Sequence, residues 1–270
     1  MTGSITTYRA AEEETVTGQQ QDHDRHCAAV EAEIAAFAAV LAEADYARPV
    51  PTCPGWTTAD LVRHLGGVHR WAGGMVRVRT PRRVGLRDLG VTFPPESGGL
   101  PDWFAEGGAA LVGALRTVDP GTPMWTWGPD PHASFWARRM VHETAVHRCD
   151  AEFALGRAPV VDTAVALDGV AEFLVNLPSA AAFAPKVENL RGDDETLGFA
   201  ATDVNASWTV RLEPEGFTWR EGGGAAEVAV RGTVSDLYLL LWGRLRPVDP
   251  RLEVDGDAAL LEHWVENSAI

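Results

Sequence analysis

Three residues with metal-binding side chains stand at spacings that place them on the inward faces of two predicted helices. Glu143 and His147 are four residues apart in the segment 140–150, and His64 lies on the apolar side of an earlier helical segment. Side chains four residues apart share one face of a helix. Two neutral imidazoles and one carboxylate leave a zinc ion with open coordination positions, as in a catalytic rather than a structural site. The sequence therefore predicts a catalytic metal site.

Glu143 is the least expected of the three residues, because the helix face that carries it is otherwise apolar. A carboxylate buried there needs a cation, a strong hydrogen-bond donor or a metal beside it. In the alternative interpretation, Arg139 or Arg63 pairs with Glu143, and His64 and His147 are core histidines bonded to the backbone. Three ligand-type residues on two inward faces favour the metal.

Two further residues are weaker candidates. His69 lies beside the inward face of its helix and is an alternative ligand if that face is displaced by one position. Asp150 follows His147 by three residues and is a candidate to orient its imidazole by accepting a hydrogen bond. A surface ion pair of Asp150 with Arg148 or Arg157 is the competing interpretation.

Composition excludes several classes of partner. The chain has 270 residues, a formal net charge of −15 and a pI near 4.9. Nonspecific binding to nucleic acid requires clustered cations, so nucleic acid is not expected as a partner. The sequence lacks a secretory signal and any apolar run long enough to cross a bilayer, so no membrane partner is expected either. The three cysteines are too few for a disulfide framework. These features predict a cytoplasmic protein, with the oligomeric state open and a monomer favoured.

Hydrophobic periodicity predicts helices in the N-terminal two thirds of the chain, after a flexible tail of residues 1–22. Apolar residues at helical spacing indicate helices at 23–45, 57–78, 101–118, 134–155 and 162–177. The connections between them are short to medium in length. Such helices form an up-and-down bundle, a scaffold that builds metal sites from inward side chains of facing helices.

The period changes after residue 185 to short alternating segments typical of an antiparallel sheet. Strands are predicted at 197–204, 207–213, 217–221, 227–230 and 252–254, with helices at 233–243 and 257–267. The fold class is therefore α+β, with a helical bundle domain over 23–182 and an α/β domain over 190–270.

Two segments resemble the mycothiol-dependent maleylpyruvate isomerase family. They are PTCPGWTTADLVRHLGGVHRW at 51–71 and FWARRMVHETAVHRCDAE at 135–152. The resemblance implies a DinB-like four-helix bundle that carries a divalent metal, usually zinc, followed by a domain similar to sterol carrier protein. By position, the ligands of the family fall on His64, Glu143 and His147. A functional arginine of the C-terminal domain, with a catalytic and cofactor-binding role, matches Arg244. An ordinary cation at a helix C-terminus is the other interpretation of this arginine.

The resemblance also implies a function. A thiol cofactor, mycothiol, enters the open metal position and loses its proton, because metal coordination lowers the thiol pKa. The resulting thiolate attacks a small electrophilic substrate, which makes the protein an isomerase or an S-transferase. The alternative is a noncatalytic protein that binds a small molecule or lipid and holds a structural metal. The apolar segment Leu237 to Trp242 motivates that alternative.

Overall fold

The computed structural model describes the backbone of residues 4–94 and 97–270 and the side chains of residues 18–94 and 97–270. The chain divides into two compact units. The first holds the chain up to Val50 together with Gly55–Thr126 and Asp130–Ala151, and the second holds Pro51–Pro54, Trp127–Pro129 and Glu152–Ile270. The α+β class is confirmed.

Four helices make up the first unit, and they agree with the prediction except at the N-terminus. They are α1 (Ser4–Leu41), α2 (Thr58–Val78), α3 (Leu100–Thr117) and α4 (Ala133–Ala154), the last turn of which belongs to the second unit. Helix α1 begins at Ser4 rather than at residue 23, so most of the segment predicted as a flexible tail is helical. Residues 9–14 (Arg-Ala-Ala-Glu-Glu-Glu) are strong helix formers. They lack the apolar spacing by which the sequence analysis recognised helices.

The core of the first unit lies between apolar faces of the four helices. Phe37 of α1 and Phe104 of α3 are fully buried, with ring centroids 4.8 Å apart. Leu61 and Met75 of α2 and Trp136 of α4 are also fully buried. Burial of each large apolar side chain contributes about 1.5–3 kcal/mol. Packing of this kind fixes the rotation of each helix about its axis.

The second unit combines three helices with a mixed five-stranded sheet. Its elements are α5 (Thr163–Ala180), β1 (Thr196–Ala201), β2 (Ser207–Glu213), β3 (Gly216–Glu221), β4 (Val228–Gly232), α6 (Val234–Leu241), β5 (Glu253–Gly256) and α7 (Ala258–Asn267). The strand order is β3-β2-β1-β4-β5. Helix α6 packs against α5, β1 and β4, and its leucines are buried.

The prediction of a fully antiparallel sheet is wrong at one pair. Strands β1 and β4 are parallel, with Leu197 opposite Val228. The chain passes through the β2–β3 hairpin and then returns to the free side of β1, where β4 runs in the same direction as β1. An alternating pattern shows which face of a strand is buried but not which strand lies beside it.

No helix among the described residues is long and apolar enough to span a bilayer.

Candidate metal centre

Helix α2 begins with a capping box that fixes its first turn. The Asp60 amide donates to the Thr57 hydroxyl at 3.3 Å, and the Thr57 amide donates to the Asp60 carboxylate at 2.9 Å. These contacts satisfy backbone donors at the start of the helix. Thr57 is therefore the N-cap of α2, and it sets the register in which His64 follows.

Helices α2 and α4 run in opposite directions along a shared face. The rings of Trp71 and Trp136 are 5.2 Å apart. The His64 imidazole contacts the Glu143 carboxylate at the other end of this face. Residues late in α2 thus lie beside residues early in α4. This antiparallel arrangement places Glu143 and His147 opposite the first turns of α2.

The three predicted ligand residues converge at this point. The distance from His64 Nε2 to Glu143 Oε1 is 3.3 Å, and from His147 Nε2 to the same oxygen it is 3.4 Å. One potential ligand atom from each residue lies within 4.8 Å of the other two. The His64 side chain is 37% exposed and that of His147 is 9% exposed, so solvent reaches the cluster on the His64 side.

The spacing of these atoms fits a small divalent ion. Zinc binds histidine nitrogen and carboxylate oxygen at about 2.0–2.2 Å, so two donors on a tetrahedral ion are about 3.3–3.6 Å apart. Charge-assisted hydrogen bonds are shorter, at about 2.7–2.9 Å between nitrogen and oxygen. The imidazole contacts to Glu143 Oε1 have the spacing of ligands that share an ion, rather than that of strong hydrogen bonds.

A buried aspartate sets which nitrogen of His147 faces the cluster. His147 Nδ1 lies 2.8 Å from Asp150 Oδ2, and the Asp150 side chain is fully buried. A carboxylate accepts, so the Asp150 contact places a proton on Nδ1 of His147 and leaves Nε2 as the atom that faces Glu143 Oε1 and that a neutral imidazole would offer to a metal. An ion between Nε2 and the carboxylate oxygen 3.4 Å away would take both atoms as ligands. The donor set thus fits a divalent ion chemically as well as by distance.

Glu143 is held as a carboxylate. Burial by itself raises the pKa of Glu143, but the imidazoles of His147 and His64 and the guanidinium of Arg139 hold the pKa well below its usual value. Arg139 Nη2 donates to Glu143 Oε2 at 2.6 Å. The arginine therefore occupies one carboxylate oxygen, and the other faces both imidazoles.

The arginines named in the alternative interpretation divide between two carboxylates. Arg139 pairs with Glu143 as that interpretation expects, whereas Arg63 lies 3.8 Å from Asp60 instead. Pairing with Arg139 and convergence of the imidazoles occur together, because they use different oxygens of Glu143. The ion pair between Arg139 and Glu143 is thus compatible with a metal site that uses the other carboxylate oxygen.

His69 lies outside the cluster. Its Nε2 is 2.9 Å from the Thr144 hydroxyl, which itself donates to the Met140 carbonyl at 2.6 Å. The hydroxyl therefore accepts from His69. Burial lowers the pKa of His69 to about 3, so this imidazole is neutral. Asp150 is fully buried against His147, as the orienting role requires, and Arg148 pairs with Glu33 at 2.6 Å.

Sequence reasoning did not assign Trp56 to the site. Its indole lies 4.9 Å from the His64 ring and 6.3 Å from the His147 ring, measured between centroids. Gly55 precedes it with φ of +84°, a conformation that glycine adopts without strain. The Pro-Gly-Trp run before the capping box is the signal for this residue, because it predicts a turn that brings an aromatic ring beside α2.

Arg244 lies in the second unit, three residues beyond the end of α6. Its Nη1 donates to the carbonyl of Trp242, the C-cap residue of that helix, at 2.6 Å. The side chain is half-buried. This contact is the one expected of a cation at a helix C-terminus.

Comparisons with known family models and with solved structures give the same family over most of the chain. The family model described as "Mycothiol maleylpyruvate isomerase N-terminal domain" matches residues 27–152, and the model described as "MDMPI C-terminal domain" matches residues 164–263. A crystal structure of the mycothiol-dependent maleylpyruvate isomerase has a TM-score of 0.62, and a histidine-to-alanine mutant of that isomerase has 0.63. Both share 14% identity with this chain and cover 87% of it and 94% of their own length. This likeness shows a common fold. A direct search of curated protein sequences finds no match.

Proposed function

Because the chain belongs to the mycothiol maleylpyruvate isomerase family, we propose that it is a metal-dependent enzyme that uses a low-molecular-weight thiol. His64, Glu143 and His147 are the proposed ligands of one divalent ion, zinc by preference of the donor set. Mycothiol is the proposed thiol, since the family is named for it. The convergence of three donor atoms on α2 and α4 carries the proposal.

A bound dication would supply Lewis acidity that lowers the pKa of a thiol at its open position. The residues around the cluster prepare for this. Asp150 directs the Nε2 lone pair of His147 inward, Arg139 fixes the Glu143 carboxylate, and the Trp56 ring lies beside both imidazoles. The ligand atoms of His147 and Glu143 are thus oriented by neighbouring residues, which limits the reorganisation that ion binding requires.

Two of the protein's three thiols are unsuited to act as the nucleophile. None of the three cysteines, all in the described part of the chain, forms a disulfide. Burial, and secondarily the charge of Asp24, raises the pKa of Cys27 to about 11. A thiol of that pKa is protonated at neutral pH and does not attack. Cys149 is fully buried.

The proposed substrate is a small electrophile. In the isomerase reaction, the thiolate forms a C–S bond to one alkene carbon, the resulting single bond rotates, and the C–S bond breaks to return the thiolate and the trans alkene. An S-transferase reaction differs because the C–S bond persists and another bond to carbon breaks. An assay with mycothiol and maleylpyruvate, followed by other electrophiles, distinguishes them by whether free thiol is consumed.

Arg244 is the proposed contact for an acidic group of substrate or thiol. The family resemblance supports this role, while its bond to the Trp242 carbonyl equally satisfies the helix end. Arg244→Ala should raise KM for an acidic acceptor at unchanged metal content. Arg246→Ala, at a neighbouring exposed arginine, is the matched control and should leave KM unchanged. An unchanged KM in both variants would assign Arg244 to the helix end alone.

The metal site is tested by elemental analysis of the purified protein. Wild type should hold about one divalent ion per chain, and His147→Ala should lose it because one of three protein ligands is removed. His263→Ala, at a half-buried histidine of α7 in the second unit, should retain the metal. Equal metal content in the wild type and His147→Ala would reject the proposal. Glu143→Gln should also abolish thiol-dependent turnover.

The carrier alternative loses the observation that motivated it. Leu237, Leu239, Leu240 and Leu241 are at most 2% exposed, because α6 is packed on α5 and the sheet. The segment is therefore part of the core of the second unit. Cytoplasmic location, the oligomeric state and the lack of membrane or nucleic-acid partners stay predictions from composition.

A further inference from the structure

Arg139, Glu143 and His147 follow one another at intervals of four residues on α4, so their side chains form one continuous row. The Arg139 side chain is only 6% exposed. Its Nη2 atom is 2.6 Å from Glu143 Oε2. Arginine cannot lose its charge in a protein, so burial ties this guanidinium strongly to an anionic partner.

The pairing divides the two oxygens of Glu143 between two tasks. Oε2 accepts from Arg139, and Oε1 lies 3.3 and 3.4 Å from the Nε2 atoms of His64 and His147. A carboxylate binds a metal through one oxygen or through both. With Oε2 engaged by the guanidinium, Glu143 has one oxygen to give to an ion.

The number of Glu143 oxygens that bind the ion decides how many coordination positions stay open to other molecules. Two imidazoles and one carboxylate oxygen fill three positions of a four-coordinate ion and leave one open. A second oxygen from Glu143 would fill the position that an external thiol needs. The open position depends on what holds Oε2 away from the ion.

We propose that Arg139 is a positioning residue that keeps Glu143 monodentate and thereby keeps a metal position open for the thiol. This role rests on the proposed function. It predicts an unusual outcome for removal of the arginine, in which the metal stays and thiol binding is lost. A merely structural role for Arg139 predicts that metal and thiol binding weaken together.

The experiment uses the full chain with its metal replaced by cobalt(II), which reports coordination number through its visible spectrum, and N-acetylcysteine as the thiol probe. Wild type, Arg139→Gln and Arg139→Lys are compared for cobalt stoichiometry, for the spectrum without thiol and for thiol affinity. Arg139→Met fills the buried volume without a hydrogen-bond donor, so it is a second test of what happens when the guanidinium is removed. Arg138→Gln is the matched control, one residue away and about 100° around the helix.

Arg139→Gln and Arg139→Met should bind about one cobalt per chain, with a weaker absorption typical of a higher coordination number and a thiol affinity reduced by about tenfold or more. Arg139→Lys keeps a charged donor and should restore most of the thiol affinity. Arg138→Gln should match the wild type.

Three results would overturn the role of Arg139 without rejecting the metal site proposed for the wild type. They are wild-type thiol affinity in both Arg139→Gln and Arg139→Met, loss of cobalt from all three Arg139 variants, and failure of Arg139→Lys to recover any thiol affinity. Failure of wild type to bind cobalt would instead reject the proposed function itself. The two failures are thus separate observations.

Discussion

The buried imidazole of His69 makes a prediction about acid stability that also tests which histidines are ligands. The imidazole is fully buried between α2 and α4 and donates to Thr144. Burial lowers its pKa from 6.5 to about 3; Glu143 opposes this shift, and His147, Arg70 and His64 add to it. The perturbation is His69→Gln, whose amide keeps a donor for Thr144 but has no proton to gain in this range.

The expected change in the free energy of unfolding with pH follows from proton linkage. Between pH 6.5 and 3 the unfolded chain protonates His69 and the folded chain does not. Stability from the neutral imidazole is fully present above the unfolded pKa and is lost as the pH falls toward the folded pKa. From pH 7 to pH 5 this one group should lower the free energy of unfolding by about 2 kcal/mol. In His69→Gln that part of the decrease should be absent.

Urea unfolding of wild type and His69→Gln at the two pH values measures the difference. Excess chelator is present throughout, because protonation of metal ligands would otherwise add its own pH dependence. His263→Gln, at a half-buried histidine of α7, is the control, and its stability should fall with pH as that of the wild type does. Without chelator, His69→Gln should keep its metal. An equal loss of stability in wild type and His69→Gln, or loss of metal from His69→Gln, would refute the reasoning.

Two other predictions concern the site and its supporting helices. Asp150→Asn removes the charge that directs His147 Nε2 inward and should weaken metal affinity by about 10–100-fold in a chelator competition, whereas Asp102→Asn on the exposed face of α3 should not change it. Gly66→Ala should lower the free energy of unfolding by about 1–3 kcal/mol, because the new Cβ would lie 2.3 Å from the Trp103 ring. Gly113→Ala on α3 has no atom within 4 Å of the new Cβ, so it should raise the free energy of unfolding by about 0.5–1 kcal/mol. Urea titration measures both alanine variants, and a higher stability for Gly66→Ala than for Gly113→Ala would contradict the packing of α2.

Local rules predicted the elements well where one pattern dominated. The Thr57 cap and the stop after Val78 locate α2 within one residue, because both are set by neighbours in the chain. The start of α1 was misplaced, since residues 9–14 favour helix by propensity and not by apolar spacing. The β1–β4 pairing was missed because strand order is a property of the returning chain.

Within the site, His64, Glu143 and His147 were predictable because helical spacing determines which side chains share a face. The sequence by itself therefore determined the ligand-type residues, the helices that carry them and the family to which the chain belongs. Only the tertiary structure decided that Arg139 holds Oε2 of Glu143 while Oε1 faces both imidazoles, that Asp150 orients His147, and that Trp56 lies beside the cluster. These contacts depend on the rotation and offset of α2 against α4. Packing between the helices fixes those quantities, and the periodicity of a single helix does not encode them.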